Sequence, residues 1–178
     1  AKAAFWIGKT KLEQGLTGEA IAVYQETILQ FGGDVLQDGV DLIISEMLTL
    51  YRRLKNEDRA SLQADLQASL KDTGSVTLKL RLRAMLAEMT GTANELGRQL
   101  NVELDDLTQA PPPVLAVLCN AAFEDKEYSR AAEILDLFQT RYEESEFMKA
   151  ALKLRAFELF ETQQYDAAMK IAEEAQAI

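Results

Sequence analysis

The chain has no histidine and a single cysteine among its 178 residues. Without imidazole there is no Ser-His-Asp or Cys-His nucleophile and no histidine metal ligand. The lone cysteine, Cys119, excludes an intrachain disulfide and leaves the redox compartment open. Proline and glycine number only 3 and 9, so little interrupts regular structure, and β-branched residues are sparse. Ala, Leu, Glu, Gln and Lys dominate, all good helix formers. The expected class is all-α, and 48% hydrophobic residues suffice for one domain with a sizeable core. No apolar run reaches the length of about 18 residues needed to cross a bilayer, so no membrane insertion is expected. No glycine-rich phosphate loop follows a strand.

Positive charge is scarce in the second half. Residues 1–89 carry 11 Lys/Arg against 12 Asp/Glu, residues 90–178 carry 8 against 17, and the net charge is −10. Such a surface repels phosphate backbones, which argues against nucleic acid as a partner. It favours basic partners, the plainer alternative being a solvated face. Glu103-Leu104-Asp105-Asp106 and Glu143-Glu144-Ser145-Glu146 offer oxygen ligands to a divalent cation. Neither has calcium-loop spacing or carboxylates paired across facing helices, and both read as solvated loops. No metal or cofactor is expected.

Helical periodicity runs the length of the chain. Residues 3–14 and 19–31 form a hairpin around Gly15-Leu16-Thr17-Gly18, with Thr17 or Gly18 placed to cap the second helix. Ala20, Val23, Tyr24, Thr27, Ile28 and Phe31 supply its apolar stripe, and Gly32-Gly33-Asp34 ends it. A long helix follows over 38–55, then one capped by Asn56 with Leu62, Leu66 and Leu70 on a narrow face. Residues 77–83 alternate like a strand, yet Leu78, Leu82, Met85, Leu86 and Met89 continue at helical spacing further than the alternation does, which favours helix. Thr92-Ala93-Asn94-Glu95 reads as a capping box for a short helix to about Glu103. Residues 105–113 read as a loop, with Pro111-Pro112-Pro113 leading into the first turn of a helix. Two hairpins close the chain: 113–125 with 129–142, and 147–161 with 166–177. Ala1-Lys2-Ala3-Ala4-Phe5-Trp6 and Ile178 both lie inside amphipathic patterns, which reads as a piece of a longer protein.

The last two hairpins are one device written twice. Tyr128-Ser129-Arg130-Ala131-Ala132 and Tyr165-Asp166-Ala167-Ala168-Met169 stand at the same place in each, 37 residues apart, a period typical of helical-repeat solenoids. Gly8, Cys119 and Ala156 put a small residue where two helices cross. Ala20, Ala131 and Ala168 recur in the second helix, followed by Tyr24, Leu135 and Ala172. On these residues the chain resembles the tetratricopeptide repeats, in the divergent bacterial variety found in cell-envelope proteins such as the TolA-binding protein and outer-membrane assembly lipoproteins. Gly15 matches the family's turn glycine, whereas Lys126 and Gln163 depart from it, and the closing proline is absent. The resemblance covers 1–34, 111–146 and 147–178. The segment 35–110 has room for two further hairpins with degenerate signatures, or holds an irregular insert.

The resemblance implies a single-domain, right-handed superhelix of about five antiparallel hairpins, with the first helix of each lining a concave groove. Carried over by position, that face holds Lys2, Phe5, Lys9, Leu12 and Glu13, then Pro113, Ala116, Asn120, Phe123 and Glu124, then Ala150, Lys153, Phe157, Phe160 and Glu161. Lys9, Asn120 and Lys153 would grip peptide backbone or carboxylates, and Phe123 and Phe157 would receive apolar side chains. For each, the alternative is packing between hairpins or plain solvation. Cys119, at a helix crossing, reads as core. The implied function is a non-enzymatic scaffold for a peptide or partner subunit, in a bacterial periplasmic or outer-membrane setting. The alternatives are a spacer or self-association module, which would form a homo-oligomer, and an all-α enzyme using Asp105 and Asp106.

Overall fold

A computed structural model describes residues 1–104, 107–142 and 148–177. Among the described residues there are ten α-helices and no strand: α1 (Lys2–Glu13), α2 (Thr17–Phe31), α3 (Asp38–Tyr51), α4 (Asn56–Asp72), α5 (Val76–Thr90), α6 (Ala93–Glu103), α7 (Pro112–Glu124), α8 (Tyr128–Arg141), α9 (Met148–Glu161) and α10 (Tyr165–Ala177). A single 3₁₀ turn, Leu107–Gln109, precedes α7. Of the two acidic clusters, Asp105, Asp106, Glu143, Glu144, Ser145 and Glu146 lie outside the described residues. The strand-like alternation of 77–83 is helix, because Leu78, Leu82, Met85 and Met89 all enter one core. The caps differ slightly from expectation. Lys55, in an extended conformation, holds the N-cap of α4, and Asn56 is already helical. Leu16 likewise precedes α2 in place of Thr17.

The helices fall into two compact units, residues 1–91 and 92–178. In the N-terminal unit α1 and α2 form a hairpin, α3 packs against both, and α5 packs against α3 and α4. The core gathers Phe5, Tyr24, Ile28, Ile43, Ile44, Met47, Leu66 and Leu82. Gly8 is essential to the α1–α2 crossing. A Cβ built there would stand 2.1 Å from Tyr24 Cε1, so only hydrogen leaves room for the ring. Tyr24 is fully buried, its hydroxyl donates to Phe5 O at 3.2 Å, and burial, assisted by the Glu46 carboxylate, pushes its pKa up to about 12.

A buried ion pair fastens this unit. Arg81 is 0% and Asp41 2% exposed, and Arg81 Nε donates to Asp41 Oδ1 at 2.9 Å. Nη2 also donates to Asp41 Oδ2 at 3.3 Å, and the other guanidinium hydrogens go to the carbonyls of Gly32, Asp34 and Val35. The planar fork thus satisfies the backbone of the α2–α3 connection while being neutralised by α3. A buried charge is tolerable only with this degree of pairing.

In the C-terminal unit each helix packs on the next, α6 on α7 through to α9 on α10, and α7 also touches α9. The middle of the chain therefore pairs α4 with α5 and α6 with α7. Ala131, Ile134, Leu135 and Phe138 are buried along α8, and Leu118 and Cys119 along α7. The α6–α7 crossing is close: a Cβ on Gly97 would meet Ala121 Cβ and Val117 O at 2.5 Å. Arg130 links α8 to α6 by donating to Asn101 Oδ1 at 3.2 Å and Leu104 O at 3.1 Å. Tyr142 donates to Ala110 O at 3.2 Å.

The three recognisable hairpins share one turn. Gly15, Lys126 and Gln163 all have positive φ, at 77°, 61° and 64°. In each, the next amide donates five residues back: Leu16 to Lys11 O at 2.9 Å, Glu127 to Ala122 O and Gln164 to Leu159 O at 2.8 Å. This is a left-handed helix terminus of the Schellman type. The two departures from the turn glycine thus keep the glycine conformation, held by the same hydrogen bonds.

Candidate binding groove

In the N-terminal unit, α1 and α3 run side by side and leave a groove of about 610 Å³ between them and the α3–α4 turn. Leu12, Leu50 and Leu54 form its apolar part; Lys9, Glu13, Glu46, Arg53, Lys55 and Asp58 form its rim. Three of the residues assigned to the first-helix face by position, Lys9, Leu12 and Glu13, therefore line it. Phe5 does not: it is 7% exposed and lies in the core. Lys9 is already engaged, with Nζ 3.0 Å from Glu46 on α3 and 5.7 Å from the centre of the Phe5 ring. The exposed cations on this rim are instead Arg53 and Lys55. Both belong to the basic run around the α3–α4 turn (Arg52, Arg53, Lys55), which has no counterpart in the repeat positions.

The four site residues expected in the C-terminal half all lie in the C-terminal unit, on α7 and α9. Asn120 and Lys153 are exposed, and no hydrogen bond or ion pair engages either side chain among the described residues. Phe123 is half-buried and stands edge-on to Tyr128 at 5.6 Å and to Phe157 at 6.1 Å. That aromatic cluster ties α7, α8 and α9 together, so Phe123 packs between hairpins. Phe157 keeps 60% of its surface exposed. With Phe160, Tyr165, Met169 and three alanines, Ala156, Ala168 and Ala172, it lines an apolar groove of about 490 Å³ on α9 and α10.

Cys119 is 1% exposed, and burial pushes its thiol up to about 12, so it stays protonated and packed. Nearby in α9, Glu158 is 5% exposed and is held by Arg155, 3.1 Å away, which also reaches Asp136 at 3.1 Å. At the surface, Arg98 grips Asp125 at 2.8 Å and holds its carboxyl below the usual range. Among the described residues no group of three acidic or cysteine side chains is placed to hold a metal ion. Among them, too, no helix is long and apolar enough to cross a membrane. Compared with protein-family models, with curated proteins and with solved structures, the chain matches none.

Proposed function

We propose that this chain is a non-enzymatic helical-repeat scaffold that holds a peptide segment or a partner subunit on the first-helix faces of its hairpins. The observation that carries this reading is the α1–α3 groove, where Leu12, Leu50 and Leu54 lie under a rim of charged side chains. A concave apolar strip with a few polar groups along its edge suits an extended chain, which needs pockets for side chains and partners for its backbone. The exposed amide of Asn120 and ammonium of Lys153 extend the same role to α7 and α9 in the C-terminal unit.

The finer fold belongs to this proposal: a right-handed, tetratricopeptide-like superhelix. Its support is the shared turn at Gly15, Lys126 and Gln163 and the burial of Ala20, Ala131 and Ala168 at 0%, 0% and 7% exposure. The bacterial envelope setting rests on the resemblance in the repeat residues.

A second reading has its own observation. Phe157, Phe160, Tyr165 and Met169 are each more than half exposed around one groove, and a contiguous apolar patch of this kind marks a surface used for association. Under that reading the chain is a spacer or self-association module.

Affinity capture from the lysate of the source organism separates the two. The wild-type chain is compared with Lys9→Glu/Leu12→Arg and with Phe157→Ala/Met169→Ala, each confirmed folded by circular dichroism. A protein retained by the wild type and lost only with the first variant supports the groove. Loss of self-association with the second variant, and equal capture by the first, supports the spacer.

A further inference from the structure

One register of 37 residues runs through the first helix of every hairpin. From Ala3, Trp6, Ile7 and Thr10 on α1 it leads to Val40, Ile43, Ile44 and Met47 on α3, all buried. The next steps give Thr77, Leu80, Arg81 and Ala84 on α5, then Val114, Val117, Leu118 and Ala121 on α7, and these are buried too. On α9, Ala151 and Glu158 are buried and Leu154 and Arg155 half-buried. Each set of four forms one stripe along its helix. On α3 the stripe joins Tyr24 and Ile28 of the preceding hairpin in one core, and on α9 its Arg155 reaches Asp136 of α8 at 3.1 Å. Among the described residues α1 alone leaves the stripe open: Ala3, Ile7 and Thr10 are exposed, and Trp6 is 67% exposed.

The receiving face is open at the other end of the series. On the α7–α8 hairpin, Phe123 stands edge-on to Tyr128 at 5.6 Å and is met by Phe157 of α9 at 6.1 Å. One period on, Phe160 and Tyr165 repeat that pair at 5.4 Å, yet both are more than half exposed along the α9–α10 groove. We infer that this groove takes α1 of a second copy, which lies on α9 and α10 as α3 lies on α1 and α2. The copies then join head to tail. Volume supports the pairing, since the bulkiest side chain of the α1 stripe, Trp6, meets a groove floored by Ala156, Ala168 and Ala172. Charge supports it as well. Two C-terminal halves would oppose 8 Lys/Arg against 17 Asp/Glu in each, whereas the N-terminal half is nearly balanced at 11 against 12, so unlike ends repel less. The inference rests on the association reading of the α9–α10 groove and names its partner. Lys9 and Leu12 lie on another side of α1, which leaves the α1–α3 groove free.

A contact between unlike faces closes into a ring or grows as a chain of copies. Sedimentation velocity of the full chain tests it from about 10 µM to 1 mM, the range of a modest interface. The mass is expected to rise with concentration. Trp6 is the one tryptophan, so its emission should move to the blue in step. Trp6→Asp and Met169→Asp both change exposed side chains, and circular dichroism checks that each variant folds. Either alone is expected to weaken association at least about tenfold. Mixed, they are expected to restore a one-to-one dimer that grows no further, because each supplies the face the other lacks. Association that survives Trp6→Asp, with wild-type emission unmoved, would pair the C-terminal ends with each other; it overturns the inference and leaves the association reading standing. Loss in both variants without recovery on mixing also overturns the head-to-tail contact. A wild-type chain that stays monomeric throughout overturns the inference and the association reading together.

Discussion

The first and last hairpins solve the same crossing with opposite volumes. In the N-terminal unit the smallest residue, Gly8, faces a large one, Tyr24, and the joint closes over a fully buried ring. At the same spacing in the C-terminal unit, Cys119 is followed by Leu135, both 1% exposed. In the last hairpin Ala156 is followed by Ala172. Two small residues leave the crossing unfilled, and both line the apolar groove on α9 and α10. The charge balance differs as well: 11 Lys/Arg against 12 Asp/Glu in residues 1–91, and 8 against 17 in residues 92–178. The N-terminal unit is therefore closed in its core and charged along its groove, whereas the far hairpin is open and apolar. The turn is kept while the volume at the crossing is redistributed, and that redistribution decides which surface stays open.

The largest effect on this contrast comes from the buried ion pair. Arg81→Met strands Asp41 and the carbonyls of Gly32, Asp34 and Val35, and is expected to destabilise the chain by about 3–5 kcal/mol. Thermal unfolding reads the loss, and hydrogen exchange should show it first in α3 and α5. An unchanged midpoint would mean that the pair contributes no net stability to the N-terminal unit.

The crossings come next. Gly8→Val forces a side chain into the Tyr24 ring and is expected to cost about 1–3 kcal/mol. Ala172→Leu adds comparable volume to the last hairpin, where the groove is open, and is expected to be neutral or slightly stabilising. Equal losses in chemical denaturation would erase the distinction between a closed and an open joint.

A smaller effect is expected at the turns. Lys126 and Gln163 hold the left-handed conformation that Gly15 adopts freely, at a penalty of about 1–2 kcal/mol for a residue with a Cβ. Part of that gain is offset by the greater freedom of glycine in the unfolded chain. Lys126→Gly and Gln163→Gly should each raise stability by a few tenths of a kcal/mol, to about 1 kcal/mol at most. Gly15→Lys should lower it, as differential scanning calorimetry would show.

The smallest is a pH effect at the surface. The hydrogen bond and charge of Arg98 lower the Asp125 pKa. A depressed carboxylate contributes stability that is present above its unfolded pKa and lost as pH falls through the folded one. Arg98→Ala should return Asp125 towards the ordinary value in an NMR titration and remove that acid-side contribution. An unmoved titration would mean that the exposed pair is not formed in solution.

The helices were legible because apolar spacing near 3.6 runs through almost every segment, and even the alternating stretch at 77–83 continued as a helical stripe to Met89. The unifying role of Arg81 was not. In sequence it stands between Leu80 and Leu82 like any solvent-facing residue, and its partners lie at 32–41, brought near only by the packing of α5 on α3. Position alone puts Lys9 on the face of α1 that lines the α1–α3 groove, but its pairing with Glu46 depends on a helix that carries no repeat signature. Arg53 and Lys55 were overlooked for the same reason, since the resemblance gave no register to the middle of the chain. The Phe123–Tyr128–Phe157 cluster shows the limit of positional transfer: the same position serves ligand or packing according to what stands on the neighbouring hairpin.

Hydrogen exchange on the wild-type chain, alone and bound to the protein it captures, tests the central claim most directly. Added protection is expected in α1 and α3 around Lys9, Leu12 and Leu50, and at the α3–α4 turn, with α10 unchanged. Protection confined to Phe157–Ala172 would contradict it and give the working surface to the open apolar end.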